Sequence, residues 1–152
     1  MDISNNLNDS DMEGKYLTFL TENQLFAIPI YDVVQIVGMQ KITDMPDSPN
    51  YMKGIINLRG SIIPVIDFRL RLGKQEKEYN ERTCIIVTSI DSQEVGLVVD
   101  EVDSVINIED EYISKPPQTN GTSNNYITGI AKLAKKVILM LDVAIVLNNN
   151  EI

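Results

Sequence analysis

The side chains that ordinarily carry out reactions are sparse in this chain. It has no histidine, which removes Ser-His-Asp and Cys-His dyads, the usual zinc sites and a phosphohistidine acceptor together. Its one cysteine, Cys84, lies inside the apolar run Thr83-Cys84-Ile85-Ile86-Val87. A thiol in such a run packs as a small hydrophobe, and a single cysteine forms no disulfide within the chain. Glu109, Asp110 and Glu111 are consecutive, and neighbours on an extended strand point to opposite faces. They read as a solvated acidic turn, neither an acid–base pair nor a metal site. What remains suits binding. In Arg59-Gly60-Ser61, a turn between two apolar strands, the forked guanidinium can grip carboxylates or carbonyls of a partner. An exposed arginine beside a Gly turn is also a commonplace solvated feature.

Positioning such a group requires a folded body, and the composition supplies one. The 152 residues are 43% hydrophobic and 23% charged, inside the range of globular domains. A net charge of −9 repels phosphate backbones and anionic lipids, so nucleic acid and membrane surfaces are excluded as partners and proteins with basic patches are favoured. Residues 1–14 are polar and acidic, with neither a basic nor an apolar signal region, and no apolar stretch reaches about 18 residues. A cytoplasmic protein without membrane insertion is expected, with no cofactor, metal or small-molecule substrate. Residues 1–14 and 149–152 read as flexible ends.

Between them the apolar residues fall in short, often β-branched runs bounded by turn residues: 16–20, 25–30, 33–37, 54–58, 62–66, 84–90, 95–99, 102–108 and 137–141. This pattern predicts strands. Two segments, 67–72 and 142–147, each begin with an Asp placed to cap a helical turn. The pairing extends along the chain. A shift of 69 (93 minus 24) lays Gln24-Leu25-Phe26-Ala27-Ile28 over Gln93-Glu94-Val95-Gly96-Leu97, Val33 over Val102 and Ile36 over Val105. A shift of 75 (126 minus 51) lays Tyr51 over Tyr126, Gly54 over Gly129, Leu58 over Leu133 and Asp67 over Asp142. The longer polar loop 115–124 absorbs the difference. The chain is therefore a tandem duplication with its boundary near residue 80. The expected fold is all-β: two small five-stranded SH3-like barrels packed together, with short helical segments, since closure removes exposed sheet edges. Where the copies differ, function rather than folding is implicated, and the second copy has Ala134-Lys135-Lys136 in place of the Arg59 turn. Val33, Ile36, Val102 and Val105 read as core positions or as the lining of a seam between lobes, where a partner helix could lie.

From Gly54-Ile55-Ile56-Asn57-Leu58-Arg59-Gly60 through Pro64-Val65-Ile66-Asp67-Phe68-Arg69, the sequence resembles the CheW-like domain family of bacterial chemotaxis coupling proteins. The likeness runs from about Tyr16 to Leu147. It includes the Val33-x-x-Ile36 pattern, the strand Gly96-Leu97-Val98-Val99-Asp100 and the echo Tyr126-x-x-Gly129. The resemblance implies one CheW-like domain over 15–148, made of two intertwined barrels. It also implies a non-catalytic adaptor that joins the regulatory domain of the histidine kinase CheA to the cytoplasmic tips of chemoreceptors, and so sits at membrane receptor arrays through protein contacts. Carried over, the receptor-side positions are Val33, Gln35, Gly54, Arg59, Gly96, Val102 and Val105. Gln35 departs from the family, where glutamate is common. The kinase-facing side is placed at Ile42, Met45 and Pro46, in an irregular segment of mixed polarity.

A receiver-type phosphoacceptor is the alternative, suggested by Asp100, Asp103 and Lys115-Pro116. A receiver needs repeated strand–helix alternation and a phosphorylated aspartate well before its lysine, whereas only 15 residues (115 minus 100) separate Asp100 from Lys115.

Overall fold

The computed structural model describes residues 12–117 and 125–147. Eleven strands and two short helices follow in the order β1 (Lys15–Thr21), β2 (Gln24–Pro29), β3 (Val33–Gly38), β4 (Met52–Leu58), β5 (Ser61–Asp67), α1 (Phe68–Arg71), β6 (Cys84–Ile90), β7 (Gln93–Val99), β8 (Glu101–Asn107), β9 (Ile113–Ser114), β10 (Ile127–Leu133), β11 (Lys136–Leu141) and α2 (Val143–Leu147). The strands make a five-stranded sheet, β3-β6-β7-β5-β4, and a six-stranded sheet, β8-β1-β2-β11-β10-β9. The all-β, two-lobed expectation holds. Strand β10 has no counterpart among the expected runs because Gly129 and Lys132 interrupt its apolar residues.

Neither sheet is made from one copy of the repeat. The first hairpin, β1–β2, pairs with β8 and, in parallel, with β11. The matching hairpin β6–β7 pairs with β3 and, in parallel, with β5. Each copy therefore lends its hairpin to the other's lobe. Both hairpins close through two-residue turns with positive φ at matching positions, Glu22-Asn23 and Asp91-Ser92, the geometry that suits the right-handed twist of paired strands.

The exchange explains the continuous apolar runs. Ile85, Ile86 and Val87 are all fully buried because the strand carrying them is covered on both faces. Ile85 and Val87 pack with Ile56, Ile63, Val65 and Val98 inside the five-stranded lobe. Ile86 faces a larger core joining the lobes, with Phe19, Phe26, Ile28, Val33, Leu97 and Phe68. The six-stranded lobe has its own core of Ala27, Ile108, Ala131, Ile138 and Met140. In the joining core Phe68 stands edge-on to Phe19 and Phe26, with ring centroids 5.3 and 4.9 Å away. Burying a side chain of this size contributes roughly 1.5–3 kcal/mol.

Residues 1–11 of the expected N-terminal flexible segment lie outside the described residues, as do 118–124 of the long loop and the tail 149–152. Met12, inside the expected flexible segment, is buried in the joining core, and the Gly14 carbonyl accepts a hydrogen bond of 2.9 Å from the Ile108 amide.

Candidate functional site

Arg59 stands at the tip of the β4–β5 hairpin, exposed, in a two-residue turn where Arg59 (φ 55) and Gly60 (φ 89) are both left-handed. The Gly60 amide donates to Asn57 Oδ1 at 2.9 Å, which fixes the turn although arginine is strained there. In the other lobe the matching position is Ala134, also left-handed at φ 53. The two lobes thus share a backbone tip and differ in its charge and reach.

The other receptor-side candidates divide by burial. Val105 on β8 is 46% exposed, and Gln35 and Val102 are half-buried. Val33, Gly54 and Gly96, expected on the receptor side, are buried. Val33 belongs to the core joining the lobes, and Ile36 and Val102 pack against it. Gly96 lies where an added Cβ would stand 2.8 Å from the Ile85 methyl. Gly54 sits at a register shift in β4, beside a bridge in which Thr43 and Ile55 exchange two 2.9 Å hydrogen bonds. Gly129 occupies the matching irregularity, against β9. Of the kinase-side candidates, Ile42 packs against the core of the five-stranded lobe, while Met45 and Pro46 are exposed.

Two arginines that sequence reasoning passed over join the lobes. Arg69, 6% exposed, pairs with Glu22 in the β1–β2 turn and with Asp100 between β7 and β8. Asp100 also accepts from the Glu22 amide at 3.1 Å. Arg71 lies over the rings of Tyr51 and Tyr126, at 5.2 and 5.4 Å from their centroids. It also donates to the Val146 and Ile145 carbonyls at the end of α2, at 2.8 and 3.3 Å. The 75-residue shift sets these arginines opposite Ala144 and Val146, so the comparison of copies that isolated Arg59 would have found them too.

The proposed receiver groups are engaged elsewhere. Asp103 accepts from Thr18 Oγ1 at 3.0 Å, Asp100 from Arg69, and Lys115 is exposed. Glu109, Asp110 and Glu111 are exposed on the connection after β8. Burial raises the Cys84 thiol pKa, opposed by a hydrogen bond from the Val102 amide, and the nearby Glu101 charge raises it further. Burial and a 2.7 Å hydrogen bond to Asp67 hold the Tyr79 phenol protonated. Asp67 itself caps α1 through the Leu70 amide.

Asp32, in the turn before β3, is raised to about 6, first by burial and then by the charge of Asp142. In the unfolded chain it titrates near ~3.9. The folded state thus binds this proton more tightly, and stability falls as pH rises from about 4 to about 6, then levels off. Asp32→Asn is expected to stabilise the protein at pH 7 by about 1 kcal/mol, the full linkage being discounted for partial exposure. Urea midpoints at pH 4.5 and 7 check this. A variant midpoint that tracks wild type at both values refutes the assignment.

Two exchanged β lobes with unlike exposed tips suit a protein-binding module. Residues 15–151 match the family model described as CheW-like domain. The chain is 33% identical to the chemotaxis protein CheW of Klebsiella aerogenes, over 90% of this chain and 83% of that protein. It is 35% identical to the chemotaxis protein CheW of Bacillus subtilis, over 85% and 81%. The crystal structure of the scaffolding protein TtCheW from Thermoanaerobacter tengcongensis superposes with a TM-score of 0.83 at 35% identity, over 90% of this chain and 94% of that one. The chain belongs to the CheW-like domain family, as a chemotaxis coupling adaptor. The receiver alternative finds no support in these relatives.

Proposed function

We propose that this chain is non-catalytic and holds the regulatory domain of the kinase CheA and the cytoplasmic tip of a chemoreceptor at the same time, as one unit spanning residues 15–148. The observation that carries the reading is the contrast between the lobes: matching hairpins end in Arg59-Gly60 in one and in Ala134-Lys135 in the other. A scaffold with two distinguishable sides can join two different partners. The receptor surface comprises Arg59 and Gln35 on the five-stranded lobe and Val102 and Val105 on β8, with Val33, Gly54 and Gly96 supporting it from beneath. The kinase surface comprises Ile42, Met45 and Pro46. Protein contacts of this kind would place the chain at receptor arrays in the cytoplasm. No helix among the described residues is long and apolar enough to cross a membrane.

Titration calorimetry with a purified CheA regulatory domain and a receptor signalling tip from the same organism tests the reading, and failure to bind either ends it. Arg59→Ala is expected to weaken receptor binding about tenfold, roughly 1.4 kcal/mol, and to leave kinase binding within about twofold. Because alanine already occupies the matching turn of the other lobe, the variant should fold normally. Equal losses for both partners would remove Arg59 from the receptor surface.

A further inference from the structure

Arg71 occupies a singular position in a duplicated molecule. Its ring partners, Tyr51 and Tyr126, correspond to one another in the repeat, and their carbonyls accept equivalent hydrogen bonds from Asp67 and Asp142 at 2.8 and 2.9 Å. One tyrosine leads into β4 of the five-stranded sheet and the other into β10 of the six-stranded sheet. The guanidinium therefore contacts matching points of both lobes at once, while its N–H groups reach carbonyls at the end of α2, where a helix leaves carbonyls without partners. A planar cation with donors around its edge can stack on two rings and hydrogen-bond in its own plane, and neither lysine nor an apolar residue combines the two. The second copy carries Val146 at the matching position.

We propose that Arg71 is a positioning residue that sets the angle between the two lobes, so that a partner spanning both lobes is bound through that angle and a partner seated on one lobe is not. The binding half of this inference rests on the function proposed above, in which the receptor surface draws on both lobes and the kinase surface on one. Residues Gln35 and Arg59 belong to the five-stranded sheet and its hairpin, Val102 and Val105 to the six-stranded sheet, and Ile42, Met45 and Pro46 to the segment between β3 and β4.

The test uses the full chain and the variants Arg71→Leu and Arg71→Lys. Residual dipolar couplings measured by NMR report the orientation of the lobes without any partner. For Arg71→Leu, each lobe should fit its wild-type geometry separately while a single alignment fails to fit both. Receptor-tip affinity should fall about tenfold and kinase-domain affinity by less than about twofold, with Arg71→Lys falling between wild type and leucine. One alignment that fits both lobes of Arg71→Leu overturns the proposal, as do equal losses for the two partners. If the wild-type chain binds neither partner, the functional reading fails and the couplings alone decide the role of Arg71. If Arg71→Leu does not fold, Arg71→Lys and Tyr126→Leu decide it by the same couplings.

Discussion

Gly54→Ala is expected to lose most of the stability of the fold, by about 4 kcal/mol or more, because two penalties coincide. The first is contact: a Cβ at this position would lie 2.1 Å from the Thr43 carbonyl oxygen and 2.8 Å from its carbon. Both atoms are backbone, held by the paired hydrogen bonds to Ile55, so relief requires the bridge to break. The second is conformation, since φ at Gly54 is +145°, a region that L-residues with a Cβ rarely enter. Chemical denaturation of Gly54→Ala should show a large drop in midpoint or no cooperative transition. Binding to the receptor tip and to the kinase domain should then be lost together. A stable Gly54→Ala protein that had lost only receptor binding would restore Gly54 to the contact surface and refute the structural account.

Arg69→Met should cost about 2–4 kcal/mol. Methionine keeps much of the buried stem but removes the charge that satisfies Glu22 and Asp100. The general cost of breaking a buried pair is about 3–5 kcal/mol. It is lowered here because the two carboxylates are 44% and 32% exposed and can regain water. The expected signature is a fall in the urea midpoint that is larger at low salt than for an apolar core substitution of equal size. Glu22→Gln combined with Arg69→Met should cost less than the sum of the single changes, since the first removes a charge that the second strands. Strict additivity in that double-mutant cycle would show that the pair is a surface contact of little consequence.

Much of this architecture was legible in the sequence because it depends on near-neighbour chemistry. Gly60 after Arg59, and Asp67 and Asp142 ahead of short helices, announce turns and caps locally. The two 69- and 75-residue shifts reveal the duplication by direct comparison. The exchange of hairpins was invisible to residue-level reading, since periodicity fixes which residues form strands and says nothing about which copy supplies their partners. Only the family resemblance implied intertwined lobes. Within the site, Arg59 stood out because the second copy has Ala134 at the matching turn. Arg69 and Arg71 lie in a segment that reads as an Asp-capped helical turn, and their partners lie 20 to 75 residues away. Val33, Gly54 and Gly96 illustrate the converse. All three are buried, and residue type alone does not announce it.

The exchanged hairpins also set the timetable of assembly on the ribosome. As the chain emerges, β1 and β2 leave first but have nothing to pair with except each other until β8 arrives, and β2 gains its parallel neighbour only with β11. The five-stranded sheet can close once β7 is made, so the later-starting lobe finishes first while the earliest hairpin waits. A two-stranded hairpin alone is marginal in water, and long-range parallel pairing is slow. Phe19 and Phe26 therefore stay uncovered until Phe68, Ile86 and Leu97, their neighbours in the joining core, have been made. While it waits, such a hairpin presents unpaired strand edges and apolar surface, the features that favour mispairing in any folding chain.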